Sequence, residues 1–334
     1  MSDAARLPFA LTSFGLPHMM GYLKTRAGEA YQIPITTEEL MRRSAELGLA
    51  GVECPLPKSD ALSPEALREL LAKHGLRYVA DYMGVLDAEV DQWRIVLNRV
   101  AQTGATVVRS VLSRILCGDR RGLEGGWNAC METLADRLNG ILPIAADLGL
   151  CIAVENHQDA ATEDLLRLGD LVGNSPAYGI TLDAGNPLAV GQDPVDAARK
   201  LAHLIRHVHL KDYTIHFAPE GYRLVRCAAG DGVVDFPAIL KIVRANGHDV
   251  LPGIEIAAQQ TRTIPFLESD WWGCHEPRQV TDLLPALRIL WAHGRSQHEP
   301  YFSAWERGED SAAVAAEEWD IVTRSVEYFR SLAT

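Results

Sequence analysis

Acidic and imidazole side chains recur at the ends of apolar, strand-length runs in the second half of this chain. "LCIAVEN" (150–156) ends on Glu155 and Asn156 with His157 next, and "YGITLDA" (178–184) carries Asp183. "IRHVHLKD" (205–212) carries His207, His209 and Lys211, and "DVLPGIEIA" (249–257) carries Glu255. Alternation along a strand puts Glu155 and His157 on one face, and likewise His207, His209 and Lys211. Three carboxylates (Glu155, Asp183, Glu255) gathered beside one imidazole (His209) cannot all stay ionised without a counter-charge. Either some hold protons or a cation sits among them. Three oxygens and one nitrogen suit a single divalent ion, with Mn²⁺ the first expectation and Mg²⁺, Co²⁺ or Zn²⁺ the alternatives, and leave room for substrate. Each residue alone has a plainer reading, such as a rim glutamate paired with arginine or an aspartate in a turn; four in successive units make a candidate site.

What would bring them together is the alternation of strands and helices along the whole chain. "PFALTSF" (8–14) precedes "TTEELMRRSAELG", with Thr37 expected as the helix cap. "AGVEC" (50–54) precedes "SPEALRELLAKHG", with Ser63 as cap, Pro64 in the first turn and Gly75 closing. "LRYVADY" (76–82) precedes a helix from Val90 to Thr103, and "ATVVRSV" (105–111) a long one from about Gly126 to Leu148. The four runs that carry the site residues are followed by "ATEDLLRLGDLVG", "DPVDAARKLAHL", "DFPAILKIVRANG" and "EPRQVTDLLPALRILWAHG". Eight such units predict an α/β fold, a closed (β/α)₈ TIM barrel over residues 1–295 whose catalytic rim lies at the C-terminal ends of the strands. Residues 296–334 form a C-terminal helical extension beyond the barrel count. Its helix over 311–332 places Val314, Trp319, Ile321, Val322, Val326, Phe329 and Leu332 on one stripe, for packing on the barrel wall or at a subunit interface.

Composition narrows the function. A 334-residue chain with 47% hydrophobic and 23% charged residues reads as one globular domain plus extension. Its formal charge of -12 speaks against nucleic acid, which requires lysine and arginine gathered on one face. The six cysteines are scattered without a C-x-x-C pair, which fits a reduced cytoplasm, and no export signal or membrane-spanning run is evident.

The motifs "VENH", "LDAGN", "HVHLKD" and "GIEI", in that order and spacing, resemble the strand-end motifs of the xylose-isomerase-like barrel superfamily. Within it they most resemble the sugar phosphate isomerase/epimerase group, which includes ketose 3-epimerases, hydroxypyruvate isomerases and inosose dehydratases. The resemblance implies that Glu155, Asp183, His209 and Glu255 are metal ligands. It also implies that Glu155 and Glu255 act as proton acceptor and donor on opposite sides of a keto-sugar, with an enediolate formed between a carbonyl and an adjacent hydroxyl. A homo-oligomer is a further expectation by resemblance. His157 is a candidate to bind or protonate a substrate oxygen, or else to orient Glu155. Lys211 could reach a substrate oxygen or pair with a rim carboxylate, and His207, deeper in the strand, reads as a hydrogen-bonded core residue. Asp212 points away and is expected to cap the following loop.

Two positions depart from the ketose 3-epimerase pattern. Asn186 stands where that group has a histidine, and "DYTIHF" (212–217) lacks its arginine, for which Arg223 or Arg226 are substitutes. The departures leave room for a lyase that expels a leaving group β to a carbonyl, cleavage of a keto-glycoside included, with a small partner subunit in that case. A DNA-repair endonuclease would need further histidines where this chain has Asp81, Tyr82, Met83, Arg109 and Ser110. A sugar-binding barrel without turnover would have no use for two glutamates flanking a metal. "CAAGDGVVDF" (227–236) lacks a P-loop lysine and reads as a turn into a helix capped by Asp235. Two rim loops complete the candidate substrate residues: "SFGLPHMMGYL" (13–23) with His18, and "QTRTIPFLESDWWGCHEPR" (260–278) with Arg262, Phe266, Trp271, Trp272 and His275 as a lid or a subunit contact.

Overall fold

Eight parallel strands close on themselves in the computed structural model, which describes residues 7–56, 62–82, 84–256, 260–296 and 302–332. The first seven are β1 (Leu7–Thr12), β2 (Leu49–Pro55), β3 (Arg77–Asp81), β4 (Val107–Val111), β5 (Cys151–Glu155), β6 (Tyr178–Asp183) and β7 (Ile205–Leu210). The chain then leaves the barrel for β8 (Asp212–Ala218) and β9 (Gly221–Cys227) before β10 (Gly253–Ile254) pairs with β7 and β1 and closes the ring. All eight barrel strands match the expected runs in order. Met83 and Ala257, expected at two strand ends, lie outside the described residues, as do the outermost residues of the C-terminal extension.

The helices α1 (Thr37–Glu46), α2 (Pro64–His74), α3 (Val90–Thr103), α4 (Gly126–Asp147), α5 (Thr162–Leu171), α6 (Pro194–Leu201) and α7 (Phe236–Ala245) follow the first seven barrel strands and pack in sequence order around them. Their start signals are local. The Ser63 hydroxyl accepts from Ala66 N at 3.2 Å and Asp235 from Ala238 N at 3.0 Å, each satisfying a backbone donor the helix itself leaves orphaned. The first cap is Thr36 rather than Thr37: its hydroxyl accepts from Glu39 N at 3.2 Å, because the cap oxygen must sit three residues before the donor it serves.

Two expectations about the last third are corrected. The stretch after β7 is not a loop: β8 and β9 make an antiparallel hairpin, extended by β11 (Arg262–Ile264) into a three-stranded sheet above the barrel rim. The helix expected to complete the eighth unit, α9 (Val280–His293), follows the short α8 (Ser269–Trp272) and packs instead on this sheet, where Leu290 joins Ile215, Leu224 and Trp271 in a separate core. After α10 (Ala304–Arg307), the terminal α11 (Ser311–Ser331) takes the outer-wall position. Phe329 stacks on Phe9 of β1 at 4.8 Å and on Phe236 of α7 at 5.2 Å, while Trp319 lies under Arg43 of α1 at 4.8 Å. Thus α11 bridges α7 to α1, and Val322, Val326 and Phe329 enter the main barrel core. Among the described residues no helix is long and apolar enough to cross a membrane, and all six cysteines are free thiols.

Candidate metal centre

Register explains why the carboxylates converge. Asp183, His209 and Gly253 are successive cross-strand partners on β6, β7 and β10, and Glu255 lies two residues beyond Gly253, on the same inward face. Glu155 ends β5 beside Thr181 of β6. Ligand atoms of Glu155, Asp183, His209 and Glu255 all lie within 4.8 Å of one another, and all four side chains are buried. Gly253 is required for this closeness: a Cβ there would meet Thr12 Cγ2 at 2.6 Å, and Glu53 and His207 crowd the same space.

Glu155 and Glu255 each show one satisfied oxygen and one turned inward, while both oxygens of Asp183 are partnered. Arg109 of β4 ion-pairs with Glu155 Oε2 and, at 2.9 Å, with Asp81 Oδ1, while Lys211 Nζ ion-pairs with Asp183 Oδ2 and sits 2.9 Å from Glu255 Oε1. Asp183 Oδ1 accepts from Gly185 N and Asn186 N. Glu155 Oε1, Glu255 Oε2 and His209 Nδ1 are buried and have no hydrogen-bond partner. His209 Nδ1 lies 2.5 Å from Glu255 Oε2 and 3.6 Å from Glu155 Oε1, so the three atoms face a common point and meet one another rather than any group outside the cluster. Buried polar atoms are rarely left orphaned, and a mixed oxygen and imidazole set aimed inward fits a divalent cation.

The charges agree with that fit. Burial pushes Glu155 and Glu255 up, but Arg109 and His209 hold Glu155, and His209 and Lys211 hold Glu255, well below the usual carboxylate range. Burial outweighs the Lys211 charge at Asp183 and the Arg109 charge at Asp81, raising both to about 6. His209 is driven the other way: against burial, Glu255, Glu53 and Glu155 raise its imidazole well above the ordinary value. With Glu53 and Asp81 counted, the buried carboxylates outnumber Arg109, Lys211 and a protonated His209, and a divalent cation that took the place of the His209 proton would relieve the excess.

Glu53 of β2 is the residue that sequence reasoning missed. Its carboxylate accepts from His207 Nε2 at 2.6 Å and from His209 Nε2 at 2.9 Å, and those two rings stack edge to face. With Nε2–H donated to Glu53, His209 Nδ1 is turned toward the glutamates, where a bound cation would take the place of its proton, the orienting arrangement common to histidines that bind metals. The one available signal was a lone charged residue inside the apolar run "LAGVECP". His207 is, as expected, a hydrogen-bonded core histidine, and Asp212 accepts from Gly230 N, Gly232 N and Val234 N and so organises the loop after β9.

The expected substrate residues divide. His157 follows Glu155 and presents a buried Nδ1 with no partner; burial pushes its imidazole down to about 4, more than Glu155 raises it. Asn186 is held at the rim, its Oδ1 accepting from Tyr213 OH at 3.0 Å, and Lys211 is occupied by Asp183 and Glu255. His18 is not brought to the cluster: its ring nitrogens meet Leu23 O and Ser311 Oγ. Arg223 is drawn to Thr261 and Glu306. Trp271 is fully buried within the chain, its Nε1 donating to Cys117 O at 3.0 Å, and Trp272 donates to Phe266 O at 2.8 Å; both brace the rim sheet.

Comparison with known proteins gives three kinds of likeness. The family described as xylose isomerase-like TIM barrel matches residues 41–272. An inosose dehydratase from Clostridium botulinum is 29% identical over 164 residues, 45% of this chain and 53% of the relative, so the chain spans about half that relative's length. A 3-oxo-isoapionate decarboxylase from Pectobacterium atrosepticum is 25% identical over 234 residues, 67% of this chain and 79% of the relative. Among solved structures, a xylose isomerase-like TIM barrel protein from Mycobacterium smegmatis in complex with magnesium superposes with a TM-score of 0.57 at 17% identity, over 88% of this chain and 99% of the other.

Proposed function

Since the chain belongs to the xylose isomerase-like TIM barrel family, we propose that it is a divalent-metal-dependent sugar isomerase or epimerase that moves a proton next to the carbonyl of a keto-sugar. The observation that carries this is the convergence of three buried ligand atoms that have no partner outside the cluster, Glu155 Oε1, Glu255 Oε2 and His209 Nδ1. Together with Asp183 these residues would hold the ion, Mn²⁺ by proposal, which supplies the Lewis acidity that makes a proton between a carbonyl and a hydroxyl removable.

The remaining chemistry falls to the side chains. Arg109 cannot accept a proton, so its pairing with Glu155 Oε2 fixes that carboxylate and leaves Oε1 as the base. Lys211 does the same for Glu255 Oε1 and leaves Oε2 to return a proton. Return to the opposite face of the same carbon epimerises the sugar; return to the neighbouring carbon isomerises it. His157, neutral at working pH, binds a substrate hydroxyl through Nδ1.

Lys211 also favours a second reading. An ammonium beside Glu255 and Asp183 is a proton donor for a leaving group, which β-elimination from a keto-sugar, inosose or 3-keto-glycoside requires. The names of the dehydratase and decarboxylase relatives point the same way. Proton NMR of the Mn²⁺-loaded protein in D₂O, with free ketoses, hydroxypyruvate, an inosose and a 3-keto-glycoside, separates the two. Deuterium entering a carbon beside the carbonyl with the skeleton intact supports the isomerase; loss of water or aglycone supports the lyase. No exchange with any of the four overturns both for these substrates.

A further inference from the structure

One face of the rim sheet collects two arginines that no acidic group among the described residues neutralises. Arg226 on β9 is the direct partner of Tyr213 on β8, and Arg262 on β11 is the direct partner of Leu224, two residues along β9 from Arg226. Cross-strand partners share a face, so Tyr213, Ile215, Leu224, Arg226 and Arg262 all project from the same side. Ile215 and Leu224 fill the apolar half of that side with Trp271. Tyr213 ties the other half to the candidate metal centre: its hydroxyl donates to Asn186 Oδ1, and the Asn186 backbone N–H donates to Asp183 Oδ1.

Neither guanidinium has an acidic partner among the described residues. Both Nε atoms are buried without a hydrogen bond among the described residues, and the Arg226 guanidinium donates to Gln260 O at 3.3 Å. The other buried arginines differ: Arg109 meets Asp81 and Glu155, Arg120 meets Asp164, and Arg278 lies 3.7 Å from Glu163. Burial, then the adjacent Arg226 charge, pushes the Arg262 guanidinium below its usual value. In a chain of net charge -12, two like charges left unpaired beside a catalytic rim are an incomplete arrangement.

We infer that Arg226 and Arg262 form an anion subsite that grips a carboxylate or phosphate group of the substrate while its keto end reaches the glutamates. The inference rests on the keto-sugar reading above and narrows it to acidic or phosphorylated sugars. Planar guanidinium forks match both groups in bidentate fashion, and either anion would satisfy the orphaned donors and cancel the repulsion.

The test is calorimetric titration of the magnesium-loaded protein with inorganic phosphate and with D-gluconate, using D-glucitol as the neutral control. Arg226→Gln and Arg262→Gln should each weaken anion binding by about tenfold or more while magnesium affinity stays unchanged, and the Lys versions should fall between. Tighter phosphate points to a sugar phosphate; tighter gluconate points to a sugar acid. The inference is overturned if neither anion binds better than D-glucitol, or if the Gln variants keep wild-type affinity, which would place the anion on the metal. Unchanged magnesium affinity and thermal midpoint certify the fold of each variant. Failure of the wild type to take up magnesium would count against the metal-centre reading alone, since anion binding is scored separately through the arginine variants.

Discussion

Glu53 Oε2 lies 2.9 Å from His209 Nε2 and 2.6 Å from His207 Nε2, so one buried carboxylate on β2 sets the rotation of the imidazole that faces the glutamates. Burial opposes ionisation of Glu53, yet His209 and His207 hold it at about 2. A carboxylate that stays charged there fixes the Nε2–H tautomer of His209 and raises its basicity at Nδ1.

Glu53→Gln should therefore loosen the candidate metal centre without removing any of its ligands. The expected loss is about 10- to 100-fold in Mn²⁺ affinity. Titration followed by electron paramagnetic resonance measures it; wild-type affinity in the variant would show that Glu53 serves packing alone.

Arg109 is held between Asp81 and Glu155, all three buried. Arg109→Met leaves two carboxylates facing one another without a cation, a loss expected to cost about 3–5 kcal/mol. Urea unfolding of the metal-free protein should show the drop, and Mn²⁺ should restore part of it by binding the same carboxylates.

Phe329 anchors α11 to β1 and α7. Phe329→Ala should destabilise the whole barrel by about 3–5 kcal/mol in a single cooperative transition. If only the C-terminal segment loosened, with the barrel midpoint unmoved, α11 would be an appendage rather than the helix that bridges α7 and α1.

Glu318 of α11 is buried and accepts from His18 N at 2.8 Å and Met19 N at 3.1 Å. Burial raises its carboxyl to about 8, more than those two backbone donors lower it. The folded state then binds a proton that the unfolded chain has released, so this group's contribution to stability is full below the ordinary value of 4.5 and is lost as pH climbs toward about 8. Glu318→Gln should flatten that decline, as read from thermal midpoints across the same window; an unchanged slope would assign the decline to other groups.

The four ligand candidates were legible because a TIM barrel places strand-end residues at one rim, and Glu155, Asp183, His209 and Glu255 each end or adjoin an apolar strand. Glu53 was not, because its role is set by two histidines on a strand that is not its neighbour in the barrel. The β8–β9 hairpin hides behind the count of eight units, which is complete without it, although "TIHFA" and "GYRLVRC" have strand character. The rim position of α9 was hidden for a similar reason, whereas α11 takes the outer-wall place expected of it. Both are amphipathic, and only the partners of Phe329 and Leu290 tell which one faces the barrel.

The central claim is that Glu155, Asp183, His209 and Glu255 together hold one divalent ion. Elemental analysis of the protein dialysed against Mn²⁺, beside His209→Ala and the double variant Glu155→Gln, Glu255→Gln, tests it most directly. One equivalent in the wild type, lost in both variants while their folds persist, is the expected result. A wild type that retains no divalent ion, or variants that retain a full equivalent, would contradict it.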